Sequence, residues 1–281
     1  MHTAPEHLSL DRLEKCLSTR VIGRGPHASE VCDSLPSTNT RVAELAVAGA
    51  PEGVFVAARQ QTAGRGRLGR TWVSPPDAGI YVSVLLRPQQ ALLSQLAPIT
   101  LATGVAVSKA IEFTTGIRLG LKWVNDLVFE GRKVGGILAE MPGQSTSANH
   151  PHKALIIGIG INVRQDKSKL PDELKDKINW LEQIAGEPLD PNQIAARILL
   201  EVENAYLDLS ANGASSIMKE WRARSVTLGR EIIASSGNTS IEGVAIDIDD
   251  NGALIVRTAD NTTRELHAGE ITIRTADGKY T

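Results

Sequence analysis

A glycine-rich loop with three arginines is the segment whose residue types point most directly to chemistry. The stretch AGRGRLGRTW (residues 63–72, the Gly-Arg loop) places Arg65, Arg67 and Arg70 between glycines. Glycine permits backbone conformations with positive φ, and each guanidinium offers a planar fork for carboxylate or phosphate. The composition predicts an anion-binding loop. The alternative is a basic surface loop that is merely solvated or that touches nucleic acid.

The glycines of this loop, Gly64, Gly66 and Gly69, have the G-x-G-x-x-G spacing of a dinucleotide site. Such a site needs a strand before the glycines, a helix after them and an acidic residue about 20 positions further on. Here TWVSPPDAG follows the loop with two prolines that forbid a helix, and the later RPQQALL has no carboxylate. Gly-Lys-Ser/Thr is also absent, so the sequence favours neither a Rossmann site nor a P-loop.

A second segment with nucleotide-binding chemistry is LKWVNDLVFEGRKVGGILAE. Lys122, Asn125 and Asp126 crowd the end of one predicted strand, and Lys133 stands on the return strand of a hairpin that turns at residues 130–132. Lysines stabilise a transferring phosphoryl group, while the acid and the amide can take Mg²⁺ or ribose. The alternative is a surface hairpin with a Lys-Asp ion pair.

Two shorter segments add polar side chains. LIIGIGINV places Asn162 after two glycines at a strand end, and PSTNT offers Ser37, Thr38 and Asn39. Taken alone, PSTNT is most simply a helix N-cap. Its hydroxyls and amide could equally bind a polar, uncharged ring system.

The composition is that of an ordinary globular protein: of 281 residues, 42% are hydrophobic and 22% are charged. The net charge of -2 provides no basic field that would attract nucleic acid. Cys16 and Cys32 form no CxxC pair, which argues against a disulfide framework or a zinc site and favours a reducing cytoplasm. No apolar segment reaches about 18 residues, so neither secretion nor a membrane span is expected.

The spacing of apolar residues predicts the elements that position these motifs. Helices are expected over residues 8–18, from STNT to Gly49, over 92–115 with Pro98 as a candidate interruption, and over 190–221. Strands are expected in GVFVAARQQ, GIYVSVLLR, RLGLKW, DLVFEG, KVGGILAEM and KALIIGIGINV, with PGQSTSANHPH as an exposed connection.

Residues 226–274 differ from the rest of the chain. Segments such as EIIAS, SIEGVAIDID, GALIVRT and TRELHAG alternate apolar and polar residues, with turn signals at Gly237-Asn238, Asn251-Gly252 and Asp260-Asn261. This pattern predicts a small, separately packed β-barrel.

Taken together, the four segments resemble those of biotin protein ligases, also called biotin-[acetyl-CoA-carboxylase] ligases. The matching stretches are STN, QTAGRGRLGRTWVSP, KWVND with KVGGILAE, and GIGINV, in the family's order and at comparable spacing over about residues 30–275. The resemblance implies an α+β fold: a catalytic domain with a mixed sheet and flanking helices, akin to class II aminoacyl-tRNA synthetases and lipoate ligases, and an SH3-like C-terminal barrel. The expected division is an N-terminal extension over 1–30, a catalytic domain over 31–222 and the barrel over 223–281.

Two features depart from the family pattern. Val124 stands where the family has proline in its KWPND signature, a change that alters local rigidity and removes no functional group. Some members carry a helix-turn-helix repressor domain of about 60 residues before the ligase, whereas 36 residues precede Ser37 here. The expectation is therefore a ligase without the DNA-binding repressor function.

The resemblance also implies a two-step reaction in the cytoplasm. Biotin and ATP, with Mg²⁺, give biotinyl-5'-AMP, and a lysine of the biotin carboxyl carrier protein of acetyl-CoA carboxylase then takes the biotin. Arg65, Arg67 and Lys133 match catalytic positions, no protein metal ligands are assigned beyond a role for Asp126 toward Mg²⁺, and the loop is expected to close over the adenylate. Biotin-binding residues would be Ser37, Thr38, Asn39, Gln61, Arg65, Gly66, Arg67 and Lys133, and ATP- or adenylate-binding residues Arg70, Trp72, Lys122, Asn125, Asp126 and Asn162.

Two alternatives stay open at this point. One is a lipoate or octanoate ligase of the same chemistry, against which the arginine-rich loop argues. The other is a non-catalytic nucleic-acid-binding protein, which the net charge and the clustering of arginines in one loop disfavour. Neither DNA nor a membrane is an expected partner, and the chain could be a monomer or a homodimer.

Overall fold

A mixed sheet forms the frame of the N-terminal part of the chain. The computed structural model describes residues 6–25, 29–88, 96–142, 154–166, 170–236, 239–267 and 272–275. Within these ranges the helices are α1 (Leu10–Cys16), α2 (Thr38–Val47), α3 (Leu96–Thr115), α4 (Asp172–Lys175), α5 (Leu181–Ala185), α6 (Pro191–Asn212) and α7 (Ser215–Arg224). The strands are β1 (Glu30–Cys32), β2 (Phe55–Ala58), β3 (Gly79–Leu86), β4 (Gly120–Lys122), β5 (Asp126–Phe129), β6 (Arg132–Glu140), β7 (Leu155–Asn162), β8 (Glu231–Ser236), β9 (Thr239–Ile248), β10 (Leu254–Arg257), β11 (Thr263–Leu266) and β12 (Thr272–Thr275).

Over the described residues, seven strands form the large sheet in the order β1-β2-β3-β7-β6-β5-β4. Only the β1–β2 pair among them is parallel. The Gly-Arg loop therefore connects β2 to an antiparallel neighbour, β3, without an intervening crossover helix. A dinucleotide-binding βαβ unit, which needs parallel strands, is excluded at this loop.

Helices cover both faces of the sheet because its central strands alternate their side chains between two apolar layers. On one side Val56 of β2 and Leu85 of β3 pack with Val42 of α2. On the other side Phe55, Val84 and the neighbouring apolar side chains belong to the larger core that α3 and α6 complete. The continuous apolar run of β3 is thus buried on both faces.

The hairpin predicted after DLVF is confirmed. Phe129 pairs with Arg132, so the turn consists of Glu130 and Gly131, with φ of 48° and 74°. Positive φ at both central residues is the geometry that matches the twist of antiparallel strands. A register shift after Leu127 then places Lys133 opposite Val128.

Several predicted elements differ in detail. The prediction of one continuous helix over 190–221 is wrong, because Gly213, with φ of 76°, ends α6 before α7 begins. Pro98 does not interrupt α3, since it lies in the first turn, where backbone N–H groups have no acceptor within the helix. Most of the connection PGQSTSANHPH and the turn Gly237-Asn238 lie outside the described residues.

The N-terminal segment is fastened to α6 by buried polar groups. The carboxylate of Glu203, which is 2% exposed, accepts hydrogen bonds from the backbone N–H groups of Arg20, Val21 and Ile22 at 2.7, 2.8 and 2.8 Å. Asn192, fully buried, bonds to the backbone of Ser9. Residues 6–25 therefore pack as an integral part of the same core.

An antiparallel sheet in the order β11-β10-β9-β8-β12 makes up the C-terminal module as far as it is described. The indole N–H of Trp123 donates to the backbone oxygen of Gly252 at 2.9 Å, and the backbone N–H of Trp123 donates to Thr227 at 3.0 Å. Arg222 pairs with Asp247 at 2.6 Å. The module is thereby attached next to the junction of β4 and β5, where the nucleotide-type motif lies. None of the described helices is long and apolar enough to cross a membrane.

Candidate active site

The residues predicted for the site converge on one cavity of about 670 Å³ at the ends of β3, β5, β6 and β7. They come from segments up to 125 positions apart, from residue 37 to residue 162, and the sheet brings them together. Those that line the cavity are Ser37, Thr38, Asn39, Gln61, Arg65, Gly66, Arg67, Arg70, Trp72, Lys122, Asn125, Asp126, Lys133 and Asn162.

The N-terminus of α2 builds the polar end of the cavity, formed by Ser37, Thr38, Asn39 and Gln61. Ser37 occupies the N-cap position, but its side chain makes no capping hydrogen bond. The backbone N–H and the hydroxyl of Thr38 both donate to Gln61 Oε1, at 2.8 and 3.1 Å. The four side chains are uncharged, and those of Ser37, Thr38 and Asn39 are buried, which suits a polar, neutral ring system.

Asn39 is held between two strands. Its amide oxygen lies 2.5 Å from the hydroxyl of Ser83 on β3, and its Nδ2 donates to Glu140 on β6 at 2.7 Å. A Cβ on Gly158 of β7 would come within 2.2 Å of the Asn39 amide oxygen, so glycine is required beneath it. Ser83, Glu140 and the backbone at Gly158 therefore fix the orientation of the Asn39 amide.

The Gly-Arg loop folds back on itself as a narrow hairpin. The N–H of Gly66 donates to the backbone oxygen of Arg70 at 2.7 Å, and the N–H of Trp72 donates to that of Gly64 at 2.9 Å. Leu68 and Gly69 at the tip have φ of 60° and 71°. The side chain of Leu68 at the tip is exposed. Arg65 and Arg67 flank Gly66 in the sequence.

Trp72 packs on glycines of the sheet. A Cβ on Gly160 would meet the indole at 2.6 Å, and one on Gly136 would meet it at 3.2 Å. The ammonium of Lys133 lies 5.3 Å from the ring centroid, within the range of a cation-π contact. Within the described part of the chain, the buried indole Nε1 has no hydrogen-bond partner. The indole therefore accounts for the glycines at positions 136 and 160.

The cationic end of the cavity is formed by Arg67, Lys122 and Lys133. Lys133 Nζ lies 2.6 Å from a carboxylate oxygen of Asp126, and Arg67 contacts the Asn125 amide oxygen at 3.4 Å. Burial lowers the pKa of Arg67, and the nearby carboxylate of Asp126 partly offsets this. Arg67 still carries its charge at neutral pH, because an arginine titrates far above it. Partly desolvated cations attract an anion more strongly than solvated ones.

Sequence reasoning missed several residues of the site. Ser83 and Glu140 fix Asn39, while Arg132 and Lys177 add cations to the cavity wall. The signal for Ser83 is a single hydroxyl in the otherwise apolar strand GIYVSVLL. The backbone N–H of Lys133 bonds to the backbone oxygen of Lys177 at 2.8 Å, a contact between distant segments that no local pattern indicates.

Comparison with known proteins gives the same assignment from two regions of the chain. Residues 31–162 match the Biotin/lipoate A/B protein ligase family, and residues 227–274 match the Biotin protein ligase C terminal domain. The chain is 38% identical over 254 residues to the bifunctional ligase/repressor BirA of Bacillus subtilis, covering 90% of this chain and 76% of that protein. The chain belongs to the biotin protein ligase family.

Further relatives in the family support this. The biotin-[acetyl-CoA-carboxylase] ligase of Mycobacterium tuberculosis is 31% identical over 265 residues, which cover 92% of this chain and 94% of the relative. The solved structure of the Aquifex aeolicus biotin protein ligase in complex with biotin and ATP superimposes with a TM-score of 0.77 at 29% identity. It covers 89% of this chain and all of that one. The mixed sheet and the C-terminal antiparallel sheet are thus the family's architecture.

Proposed function

We propose that this chain is a biotin protein ligase that activates biotin with ATP to biotinyl-5'-AMP and transfers biotin to a lysine of the carrier protein of acetyl-CoA carboxylase. The observation that carries the proposal is a single cavity with a neutral polar end at residues 37–39 and 61 and a cationic end at Arg67 and Lys133. Biotin has the same polarity, with a ureido head at one end and a carboxylate at the other.

The polar end binds the ureido head in this proposal. Ser37, Thr38, Asn39 and Gln61 supply hydroxyl and amide groups, and the backbone of Gly66 closes the pocket from the loop side. A head group without hydrogen-bonding atoms would displace water from these polar groups without replacing its hydrogen bonds, which is costly. A lipoyl dithiolane is such a head group, so the lipoate or octanoate alternative is not favoured.

In the first step a carboxylate oxygen of biotin attacks the α-phosphorus of ATP. The new acyl phosphate bond forms while the bond to the bridging oxygen breaks, and pyrophosphate leaves with the electron pair. Two anions must approach each other, so fixed cations lower the barrier. Arg65, Arg67 and Lys133 are assigned to this task, and Arg70, Trp72, Lys122, Asn125, Asp126 and Asn162 to the nucleotide.

Mg²⁺ fits the site as a companion of ATP. Within the described residues no cluster of three or more His, Cys, Asp or Glu side chains could hold a metal ion. Mg²⁺ commonly binds through one or two carboxylates together with phosphate oxygens, and Asp126 is the carboxylate assigned here. When bound, the ion neutralises charge on the phosphates.

The second step needs a neutral lysine amine from the carrier protein. The amine attacks the acyl carbon of the adenylate, forming the amide and releasing AMP. Before that attack the Gly-Arg loop retains the adenylate and excludes water, which would otherwise hydrolyse it.

The proposal includes the finer architecture and setting of the chain. Residues 31–222 are the catalytic domain, akin to class II aminoacyl-tRNA synthetases, after an extension over 1–30, and residues 223–281 are an SH3-like barrel. The chain acts in the cytoplasm as a monomer or homodimer. DNA binding is not part of its function, as the net charge of -2 supports.

Biotin-dependent exchange of labelled pyrophosphate into ATP tests the first step. Exchange that requires biotin and does not occur with lipoate or octanoate supports the proposal. Exchange with lipoate alone, or strong salt-sensitive DNA binding with no exchange at all, would contradict it.

A further inference from the structure

A hydrogen-bonded network runs through the polar end of the cavity and starts in the segment that precedes the Gly-Arg loop. Gln61 Oε1 accepts from Thr38, and the Thr38 hydroxyl lies 2.7 Å from that of Ser83. Ser83 is fully buried, and its hydroxyl also lies 2.5 Å from Oδ1 of Asn39. Each of these groups therefore depends on the orientation of its neighbour.

The network ends at the last residue of β6. Glu140 Oε2 accepts from Asn39 Nδ2 at 2.7 Å and from the guanidinium of Arg65 at 2.8 Å. One carboxylate oxygen thus contacts both the polar end of the cavity and an arginine of the Gly-Arg loop. Within the described residues, no other carboxylate is hydrogen-bonded to Asn39.

Both ends of the network lie on the same stretch of chain, because Gln61 and Arg65 flank the start of the Gly-Arg loop. Glu140 is not among the residues that line the cavity, so we assign it no direct contact with a substrate. Its side chain is 31% exposed and that of Arg65 is 47% exposed. An ion pair this exposed adds little to folding stability. Its expected effect is therefore on the position of the Gly-Arg loop.

We propose that Glu140 is a positioning residue that couples biotin binding to the position of the Gly-Arg loop. Through Asn39 it orients an amide assigned to the biotin head, and through Arg65 it holds the loop assigned to retaining the adenylate. The inference rests on the proposed ligase function. It adds a residue that touches neither substrate yet sets both the affinity for biotin and the retention of the intermediate.

Two substitutions separate the two contacts. Glu140→Gln keeps an oxygen that accepts from Asn39 but loses the charge that holds Arg65, whereas Glu140→Ala loses both. Glu44→Gln is the matched control, because Glu44 pairs with Arg41 on the exposed side of α2. Each variant is compared with wild type by thermal unfolding, by pyrophosphate release against biotin concentration, and by biotinyl adenylate released into solution without carrier protein.

For Glu140→Ala we expect the KM for biotin to rise about tenfold, with a much smaller change in kcat, because a charge-assisted hydrogen bond to Asn39 is lost. For Glu140→Gln the KM stays within about threefold of wild type, while the released fraction of the adenylate formed rises as much as in Arg65→Gln. Combining Glu140→Gln with Arg65→Gln does not raise the released fraction further, since both substitutions remove the same contact. Glu44→Gln behaves as wild type.

Other outcomes would overturn the proposal. If Glu140→Ala leaves both the KM for biotin and adenylate release unchanged in an active chain, the coupling is wrong. Independent, multiplying effects of Glu140→Gln and Arg65→Gln would contradict it as well, even if Glu140→Ala fails to fold. A wild-type chain that neither binds biotin nor releases pyrophosphate would overturn the ligase function together with the coupling, so the two failures are distinguishable.

Discussion

The ammonium of Lys133 and the carboxylate of Asp126 lie 2.6 Å apart across the β5–β6 hairpin. The side chain of Asp126 is 9% exposed and that of Lys133 is 24% exposed, so the pair is partly desolvated. An arriving carboxylate or phosphate can use this cation without ordering it first. Asp126 thereby fixes the position of the Lys133 ammonium in the cavity wall.

Lys133→Gln should therefore lower kcat for adenylate formation by about 10² or more, because a fixed cation at the developing charge is lost. The measurement is biotin-dependent pyrophosphate release at saturating biotin and ATP. Lys175→Gln, which removes a surface lysine paired with Asp172, is the control and should retain full activity. Equal activity of Lys133→Gln and Lys175→Gln would rule out the catalytic assignment.

Arg67→Gly should still form the adenylate but retain it poorly. Arg67 is the partly buried arginine of the Gly-Arg loop and contacts Asn125 across the cavity, so its loss opens the site toward water. We expect biotin to appear on lysines of a bystander protein such as serum albumin, detected by avidin blotting. Arg230→Gly, an exposed arginine of the C-terminal module, is the matched control. No rise in bystander labelling over that control would disprove the retention role.

Gly160→Ala should displace Trp72. A Cβ there would lie 2.6 Å from the indole, closer than real side chains approach, so the ring must move away from the sheet. The expected loss of unfolding free energy is about 1–3 kcal/mol, together with a raised KM for ATP, since the ring is assigned to the adenylate. The control is Gly104→Ala in α3, whose Cβ would be 3.6 Å from Leu121 in ordinary contact. If both variants keep wild-type stability and KM for ATP, the packing assignment fails.

Acid should weaken the ion pair between Asp77 and Arg59, which lies close in sequence to the cavity-lining residues Pro75 and Ala78. Hydrogen bonds from Arg59 lower the pKa of Asp77 below its usual value, so the charged carboxylate is favoured in the folded state. Its stabilisation is present above the unfolded pKa of about 4 and is lost as the pH falls through the folded pKa. Both side chains are about one third exposed, so the effect is under about 1 kcal/mol.

Asp77→Asn tests the contribution of this ion pair, because asparagine tolerates the positive φ of 55° at this position. Urea unfolding at pH 6 and at pH 3 should show a smaller drop in unfolding free energy for the variant than for wild type. An identical drop in the two proteins would show that this carboxylate does not contribute.

The local sequence pattern predicted the helices and strands that carry the motifs, but not how these elements pack against one another. The hairpin at Glu130-Gly131 and the N-cap at Ser37 follow from backbone preferences of a few residues. The pairing of β3 with β7, by contrast, joins Ser83 to Gly158 through contacts that no local preference encodes. The resemblance to a family identified the site residues that periodicity alone left ambiguous.

The residues that escaped prediction are those whose roles depend on distant partners. Glu140 is one of many acidic surface residues in the sequence until the fold brings it to Asn39, which lies 101 positions away. Glu203 looks like an ordinary residue of a helix until the N-terminal segment turns its N–H groups toward it. Hydrogen bonds between separate segments are fixed by tertiary packing, which a sequence pattern of short range does not contain.

The most direct test of the ligase function is the mass of a biotin carboxyl carrier domain after incubation with the purified chain, biotin and MgATP. We predict a mass increase of one biotinyl group on a single lysine, dependent on both ATP and biotin and formed at least about 10² times more slowly when Lys133→Gln replaces the wild-type chain. An unchanged carrier mass after incubation with the correctly folded wild-type chain would contradict the assignment. An increase in mass with lipoate in place of biotin would contradict it as well.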